Sequence, residues 1–173
     1  MLCNKKRLCL LFQVLSYILG MLRNALDQPD LRSRSEGSSW SAQEIAVGLG
    51  NLLFNERNLE TMMDRDVVAL LVSLIGKGGI IEKECAANSL WIIAKNSKGK
   101  AKIKESASAM EELSRTSKSA NQAVQEAAKR VLLELRETAY RQGNPNITIK
   151  LSMVDLIFDH HHHHHHSAYA RDS

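Results

Sequence analysis

The stretch that decides the fold is AANSLWIIA, residues 86–94. Two other stretches align with it: IAVGLGNLL at 45–53, which begins 41 residues earlier, and AAKRVLLEL at 127–135, which begins 41 residues later. In all three, apolar residues recur every three or four positions, as they do on one face of a helix. A constant period near forty residues in helical sequence is typical of a helical solenoid, whose repeats are stabilised by stacking on their neighbours.

The alignment separates two faces of each aligned helix. One face carries small residues, which allow close approach of neighbouring helices, and aliphatic residues, which fill a shared core: Ala46, Ala87 and Ala128, with Leu49, Leu90 and Val131. The other face carries positions four residues apart, which stack one above the other on a helix. These pairs are 47 and 51, 88 and 92, and 129 and 133, and we expect them to be exposed.

Shorter elements lie between the aligned helices. Residues 59–63 and 101–105 suggest short helical pieces, and the long helices are expected to end near Asn55 and Asn96, residue types that tolerate a left-handed cap. Residues 67–75 are rich in β-branched side chains and are compatible with a buried strand, but the helical period around them favours a buried helix. Glycines at 76, 78 and 79 follow it and indicate a turn.

The order of these elements resembles the armadillo repeat, which has a short first helix, a second helix ending in a Leu-rich turn, and a third helix opening A-A-x-x-L. Residues 58–75 followed by 82–95 reproduce that order, and the resemblance covers residues 41–137. HEAT repeats share the length range. The resemblance implies an all-α fold, a right-handed α-solenoid of about three repeats, which binds proteins or extended peptides along the concave surface lined by its third helices.

The groove residues of nuclear-import adaptors in this family are largely missing. Those adaptors carry a Trp and, four residues later, an Asn on successive third helices. The Trp positions correspond here to Val47, Asn88 and Lys129, and the Asn positions to Asn51, Ile92 and Leu133. Only Asn51 matches, so recognition of import signals is not expected. Trp91 lies at a different position and is interpreted as a packing residue between repeats.

A partner-binding face is nevertheless predicted on the third helices. Amide side chains there can hydrogen-bond an extended backbone, and the lysines favour an acidic protein or peptide as partner. The predicted partner-binding residues are Asn51, Asn88, Ile92, Lys95 and Lys129.

Charge and cysteine content set further bounds. The net charge of +4 is mild, and its one dense run, the lysines at 95, 98, 100, 102 and 104, is expected to be a solvated loop and short helix. An acidic partner or nucleic acid is the alternative interpretation of that run, but we expect neither nucleic acid nor a membrane as partner. The three cysteines form no CxxC pair, which fits a reducing compartment, the cytoplasm or the nucleus. Cys85 is expected to be a small core residue.

The N-terminal segment, residues 1–27, permits two interpretations. Three cationic residues at 5–7 precede an apolar run at 8–22, as in a signal peptide, but no small-x-small cleavage site follows. The leucines at 8, 11, 15, 19, 22 and 26 recur at helical spacing, which favours a packed helix over a signal or anchor. Residues 28–40 are rich in Ser, Gly and charge and predict a flexible loop. Ser41 and Glu44 then form a capping box for the next helix.

The C-terminal region differs from the repeats. Glu111 and Glu112 occupy the positions of Leu70 and Leu71, leaving Met110 and Leu113 as apolar contacts, so the stack is expected to end near residue 137. Residues 138–173 are predicted to be an irregular tail, although 147–153 alternate like a strand. A glycosylation sequon begins at residue 146, and the histidines at 160–166 are either a tag or a natural tract.

No catalytic constellation is visible. All seven histidines lie in the 160–166 run, so the body of the chain offers no Ser-His-Asp or Cys-His arrangement, and no phosphate-binding glycine motif occurs. The sequence therefore predicts a non-enzymatic protein-protein interaction scaffold without cofactor or metal. Two alternatives stay open: a fragment or isoform of an armadillo-containing assembly factor or co-chaperone, and a secreted or membrane-anchored helical protein.

Overall fold

The computed structural model describes residues 2–35 and 38–141, which form eight α-helices and one two-stranded hairpin and confirm the all-α class. In chain order the elements are α1 (Leu2–Leu26), β1 (Arg32–Ser35), β2 (Ser38–Ser41), α2 (Ala42–Leu53), α3 (Glu56–Met63), α4 (Val67–Lys77), α5 (Ile80–Ala94), α6 (Ser97–Glu105), α7 (Ala107–Thr116) and α8 (Gln122–Arg141). Within those ranges, none of the helices combines the length and the apolarity needed to cross a membrane.

The chain divides into two compact units, Met1–Glu134 and Leu135–Ser173. The first unit contains α1–α7, the hairpin and most of α8. Helix α8 continues to Arg141, so residues 138–141, predicted as part of an irregular tail, are helical. The predicted strand at 147–153, the sequon at residue 146 and the histidine run at 160–166 lie outside the described residues.

Helix α1 packs lengthwise on the rest of the first unit. Its predicted leucine stripe is buried at Leu15, Leu19, Leu22 and Leu26, and the helix contacts β1, α2, α3 and α4. Its last turn is also tied to α4, because Lys77 Nζ donates a hydrogen bond of 3.3 Å to the carbonyl oxygen of Leu26. Residues 12–26 therefore belong to the same packed core as the later helices of this unit.

Residues 28–40, which their composition predicted to be a flexible loop, contain regular secondary structure. They include the antiparallel hairpin β1–β2, in which Ser33 pairs with Trp40. The hairpin is fixed to α1, because Asn24 Oδ1 accepts a hydrogen bond of 2.9 Å from the Arg34 amide and Ser33 is buried. Contacts with α1 thus impose a strand conformation that the Ser-rich sequence does not itself predict.

The capping box that begins α2 is present as predicted. Ser41 Oγ accepts a hydrogen bond from the Glu44 amide, and the Glu44 carboxylate accepts one from the Ser41 amide, both at 3.1 Å. Hydrogen bonds from the backbone and side chain of Ser41 lower the pKa of Glu44. The reciprocal bonds satisfy two backbone N–H groups that would otherwise lack partners at the helix start.

Helices α3 and α6 begin in the same way, one repeat apart. Asn55 and Asn96 each have extended backbone, and each side chain accepts hydrogen bonds from the amides two and three residues later. The preceding helices α2 and α5 end at Leu53 and Ala94, near these asparagines as predicted, but neither asparagine adopts the left-handed conformation. They are N-caps of the following helices, a position for which Asn is among the best residues.

The long segment at 67–77 is a buried helix, as the helical period indicated. Seven of the eleven residues of α4 are buried, and the helix packs against α1, α3, α5 and α7. It follows Asp66, which adopts the left-handed conformation with φ of 60°. Such a β-branched run forms a helix here because its apolar residues are covered on several sides.

Candidate functional site

The aligned positions on α2, α5 and α8 divide into buried and accessible sets as the repeat period predicted. The positions expected to face neighbouring repeats are fully or nearly fully buried: Ala46, Leu49, Ala87, Leu90, Ala128 and Val131. None of the six positions on the opposite face is buried: Val47, Asn51, Asn88, Ile92, Lys129 and Leu133. Each of the three helices therefore presents one accessible face within the same unit.

The five residues predicted to bind a partner all lie on these accessible faces. Asn51 on α2 and Lys95 at the end of α5 are exposed, whereas Asn88, Ile92 and Lys129 are half-buried. Asn88, Ile92 and Lys95 share one side of α5, because they are spaced at four and three residues. The α2 face also has an apolar part, with Val47 at 48% and Phe54 at 74% exposure.

The centre of the α5 face is an aromatic residue with two cations over its ring. The Lys95 Nζ atom lies 3.5 Å from the centroid of the Trp91 ring, and the Arg130 Cζ atom lies 4.3 Å from it. Arg130 also donates a hydrogen bond from Nη2 to Asn88 Oδ1. These contacts join α5 to α8. Trp91 is half-buried, and the arrangement makes it a platform for cations as well as a packing residue.

Arg130 is a residue that the sequence pattern did not reveal, since the pattern points to its neighbour Lys129 instead. The 41-residue alignment places Lys129 on the accessible face and says nothing about which α8 side chain reaches α5. Trp91 and Arg130 are 39 residues apart, two short of the 41-residue period, so the alignment does not pair them and gave no signal of their contact.

No acidic side chain of the part of the chain that the structure describes forms an ion pair with either cation over Trp91. The ion pairs found in residues 12–34 and 39–136 are Arg32 with Glu44, Arg34 with Asp30, and Arg115 with Glu112. Lys95 and Arg130 take part in none of them, and both side chains are exposed. Among the described side chains, the two positive charges therefore have no acidic partner.

The lysine run from 95 to 104 is not uniformly solvated. Lys100 is 5% exposed, and its Nζ donates a hydrogen bond of 3.0 Å to the carbonyl oxygen of Glu134 on α8. Lys98, Lys102 and Lys104 are exposed. The expectation of a solvated run is thus wrong at Lys100, whose role is to link α6 to α8.

Cys85 is half-buried rather than a core residue. The adjacent Ala86 and Ala87 occupy the core instead. Partial burial raises the pKa of the Cys85 thiol, and the nearby carboxylates of Glu84 and Glu82 raise it further. A thiol in acidic surroundings is a poor nucleophile at neutral pH, since the thiolate is the reactive form.

No protein-family model and no curated protein matches this chain.

Proposed function

We propose that this chain is a non-enzymatic scaffold of armadillo type, a right-handed α-solenoid that binds a segment of another protein along its third helices. The observation that carries the proposal is the division of α2, α5 and α8, at 41-residue steps, into a buried face and an accessible face. A surface repeated at a constant step along stacked helices is suited to an extended ligand, which presents side chains at regular intervals.

The order of the helices supports an armadillo arrangement. Two successive triplets, α3–α4–α5 and α6–α7–α8, each run from a short first helix to a long third helix, and both begin at an Asn N-cap. Adjacent triplets are in contact through α4 and α7. In this scheme α2 is the third helix of a preceding repeat, and its packing against α5 joins third helices side by side.

The chemistry of the accessible faces suits a peptide segment. Asn51 and Asn88 supply amide groups, which can hydrogen-bond an extended backbone, while Val47, Ile92 and Leu133 supply apolar contacts between the polar ones. Charged hydrogen bonds from Lys95 and Lys129 would strengthen binding of an acidic segment. We expect the chain to act in the cytoplasm or nucleus.

Site-specific photo-crosslinking tests the proposal with the full-length chain. A photoreactive amino acid replaces Asn51 or Ile92 on the proposed groove, or Glu60 or Lys102, which are exposed on α3 and α6. In lysate of cells that express the chain, we expect a discrete crosslinked protein from positions 51 and 92 and none from 60 and 102. Crosslinks that arise only from 60 and 102 would overturn the proposed surface.

A further inference from the structure

We propose that Trp91, Lys95, Arg130 and Asn88 form an anion clamp that binds clustered Asp or Glu side chains of an extended partner segment. This inference rests on the proposed function and specifies the chemistry of the partner. The four residues join α5 and α8, and two of them, Trp91 and Arg130, are not among the partner-binding residues predicted from the sequence.

The clamp is ordered before any partner arrives. The Trp91 ring is in contact with both Lys95 and Arg130, and the Asn88 amide oxygen accepts a hydrogen bond from the Arg130 guanidinium. Long cationic side chains on a surface normally lose rotamer freedom when they bind, which weakens affinity. Here part of that freedom is already lost in the free protein, so less is lost on binding.

The charge distribution selects an anion. The two cations lie over one ring, at most about 8 Å apart by their distances to its centroid, and like charges at such a separation repel. No carboxylate of the described side chains forms an ion pair with either of them. A carboxylate placed beside either cation offsets the repulsion, and the guanidinium plane of Arg130 offers paired donors that match its two oxygens.

The surroundings of the clamp favour an acidic protein segment over nucleic acid. Single-stranded nucleic acids bind through aromatic rings on which bases stack, with a cationic groove along the backbone. The Trp91 ring already carries two cations, and the accessible positions of α2, α5 and α8 include the apolar residues Val47, Ile92 and Leu133. A peptide with interspersed acidic and aliphatic residues matches both features.

Fluorescence of Trp91 provides a direct measurement. The sequence has two tryptophans, so a full-length Trp40→Phe variant has Trp91 as its only one. The probe is an octapeptide of Glu and Leu, and the reference peptide has Gln in place of every Glu. We expect the Glu peptide to change the fluorescence emission of Trp91 in a saturable way at low salt, and calorimetry should confirm that it binds. The Gln peptide should bind at least about tenfold more weakly.

Matched double variants separate the clamp from general charge. Lys95→Gln with Arg130→Gln removes two charges from the clamp, and Lys102→Gln with Lys104→Gln removes two from exposed positions on α6. We expect the first double variant to bind the Glu peptide about tenfold or more weakly than the parent chain does. The second should weaken binding by less than about twofold. Circular dichroism spectra of both variants check that the fold is retained.

Three outcomes would overturn the clamp: no calorimetric binding of the Glu peptide, equal weakening by both double variants, or tighter binding of oligothymidylate through Lys95 and Arg130. Each leaves the proposed function standing if crosslinks still form from positions 51 and 92. Crosslinks from positions 60 and 102 alone would instead refute the groove itself.

Discussion

Helices α4 and α7 occupy equivalent positions in the two successive triplets, yet they differ sharply in burial. Seven residues of α4 are buried, against three of α7: Ala109, Leu113 and Thr116. Leu70 and Leu71 are buried on α4, whereas Glu111 one repeat later is exposed and Glu112 is half-buried. Met110, which the sequence predicted as an apolar contact, is only half-buried, whereas Leu113, predicted with it, is buried beside Ala109.

The comparison shows that neighbours, and not position within the repeat, decide how apolar a helix must be. Helix α4 is covered by α1 and α3 as well as by α5 and α7. Helix α7 exposes the face that carries Glu111 and Arg115, so carboxylates and cations are tolerated there. A polar outer face of this kind is what repeat proteins require of a repeat that is not covered on both sides.

The largest expected effect comes from truncating the equivalent residues on the two helices. Leu71→Ala should lower the free energy of unfolding by about 2–5 kcal/mol, because Leu71 is fully buried and its removal leaves a cavity. The equivalent Glu112→Ala removes a partly exposed ion pair with Arg115 and should cost less than about 1 kcal/mol. Urea denaturation followed by circular dichroism measures both, and similar losses would contradict the contrast between α4 and α7.

The second-largest expected effect comes from adding a side chain in the first turn of α6, at the position equivalent to Asn58 in α3. Asn58 and Gly99 are equivalent, and both are buried. A Cβ atom on Gly99 would lie 2.2 Å from the Ile93 carbonyl oxygen, so α6 approaches the end of α5 too closely for any side chain. Gly99→Ala should therefore destabilise the protein by about 1–3 kcal/mol, the usual cost of overpacking.

Gly48→Ala is the matched control for that substitution. A Cβ atom there meets nothing within 4 Å, and Gly48 is exposed within α2. The change should stabilise the protein by about 0.5–1 kcal/mol, because alanine loses less conformational entropy in a helix. Thermal unfolding of the two variants should shift the midpoint in opposite directions; a neutral Gly99→Ala would show that α6 can move away from α5.

The smallest expected difference between the two triplets concerns their N-cap asparagines, Asn55 and Asn96. Asn55→Ala and Asn96→Ala each remove a side chain that accepts two backbone hydrogen bonds at a helix start. Each substitution should lower the free energy of unfolding by about 1 kcal/mol, and the two decreases should agree within about 0.5 kcal/mol. Chemical denaturation measures the pair, and a loss confined to one of them would mean that only one N-cap is formed in solution.

Much of the helical arrangement could be predicted because it depends on spacing within single helices. The 41-residue period identified which side chains of α2, α5 and α8 are buried and which are accessible. The same period also indicates burial of Lys100, because Lys100 is equivalent to Leu59, which is 4% exposed. The density of lysines around residue 100 suggested solvent, but the position in the repeat correctly indicates burial.

The features that could not be predicted depend on contacts between elements. The contact of Arg130 with Trp91 depends on how α8 lies against α5, and the periodicity of a single helix does not contain that information. The β1–β2 hairpin likewise depends on Asn24 of α1, which accepts a hydrogen bond from the Arg34 amide. Ser, Gly and Arg have little preference for strands, so local propensity gave no sign of it.

The Asn-capped junctions also bear on how the chain folds. Only Phe54 and Asn55 separate α2 from α3, and only Lys95 and Asn96 separate α5 from α6, so consecutive helices meet without a long loop to close. Chains dominated by contacts between nearby segments reach their folding transition state quickly, since little loop-closure entropy must be lost first. The short junctions therefore favour early contact between α2 and α3 and between α5 and α6.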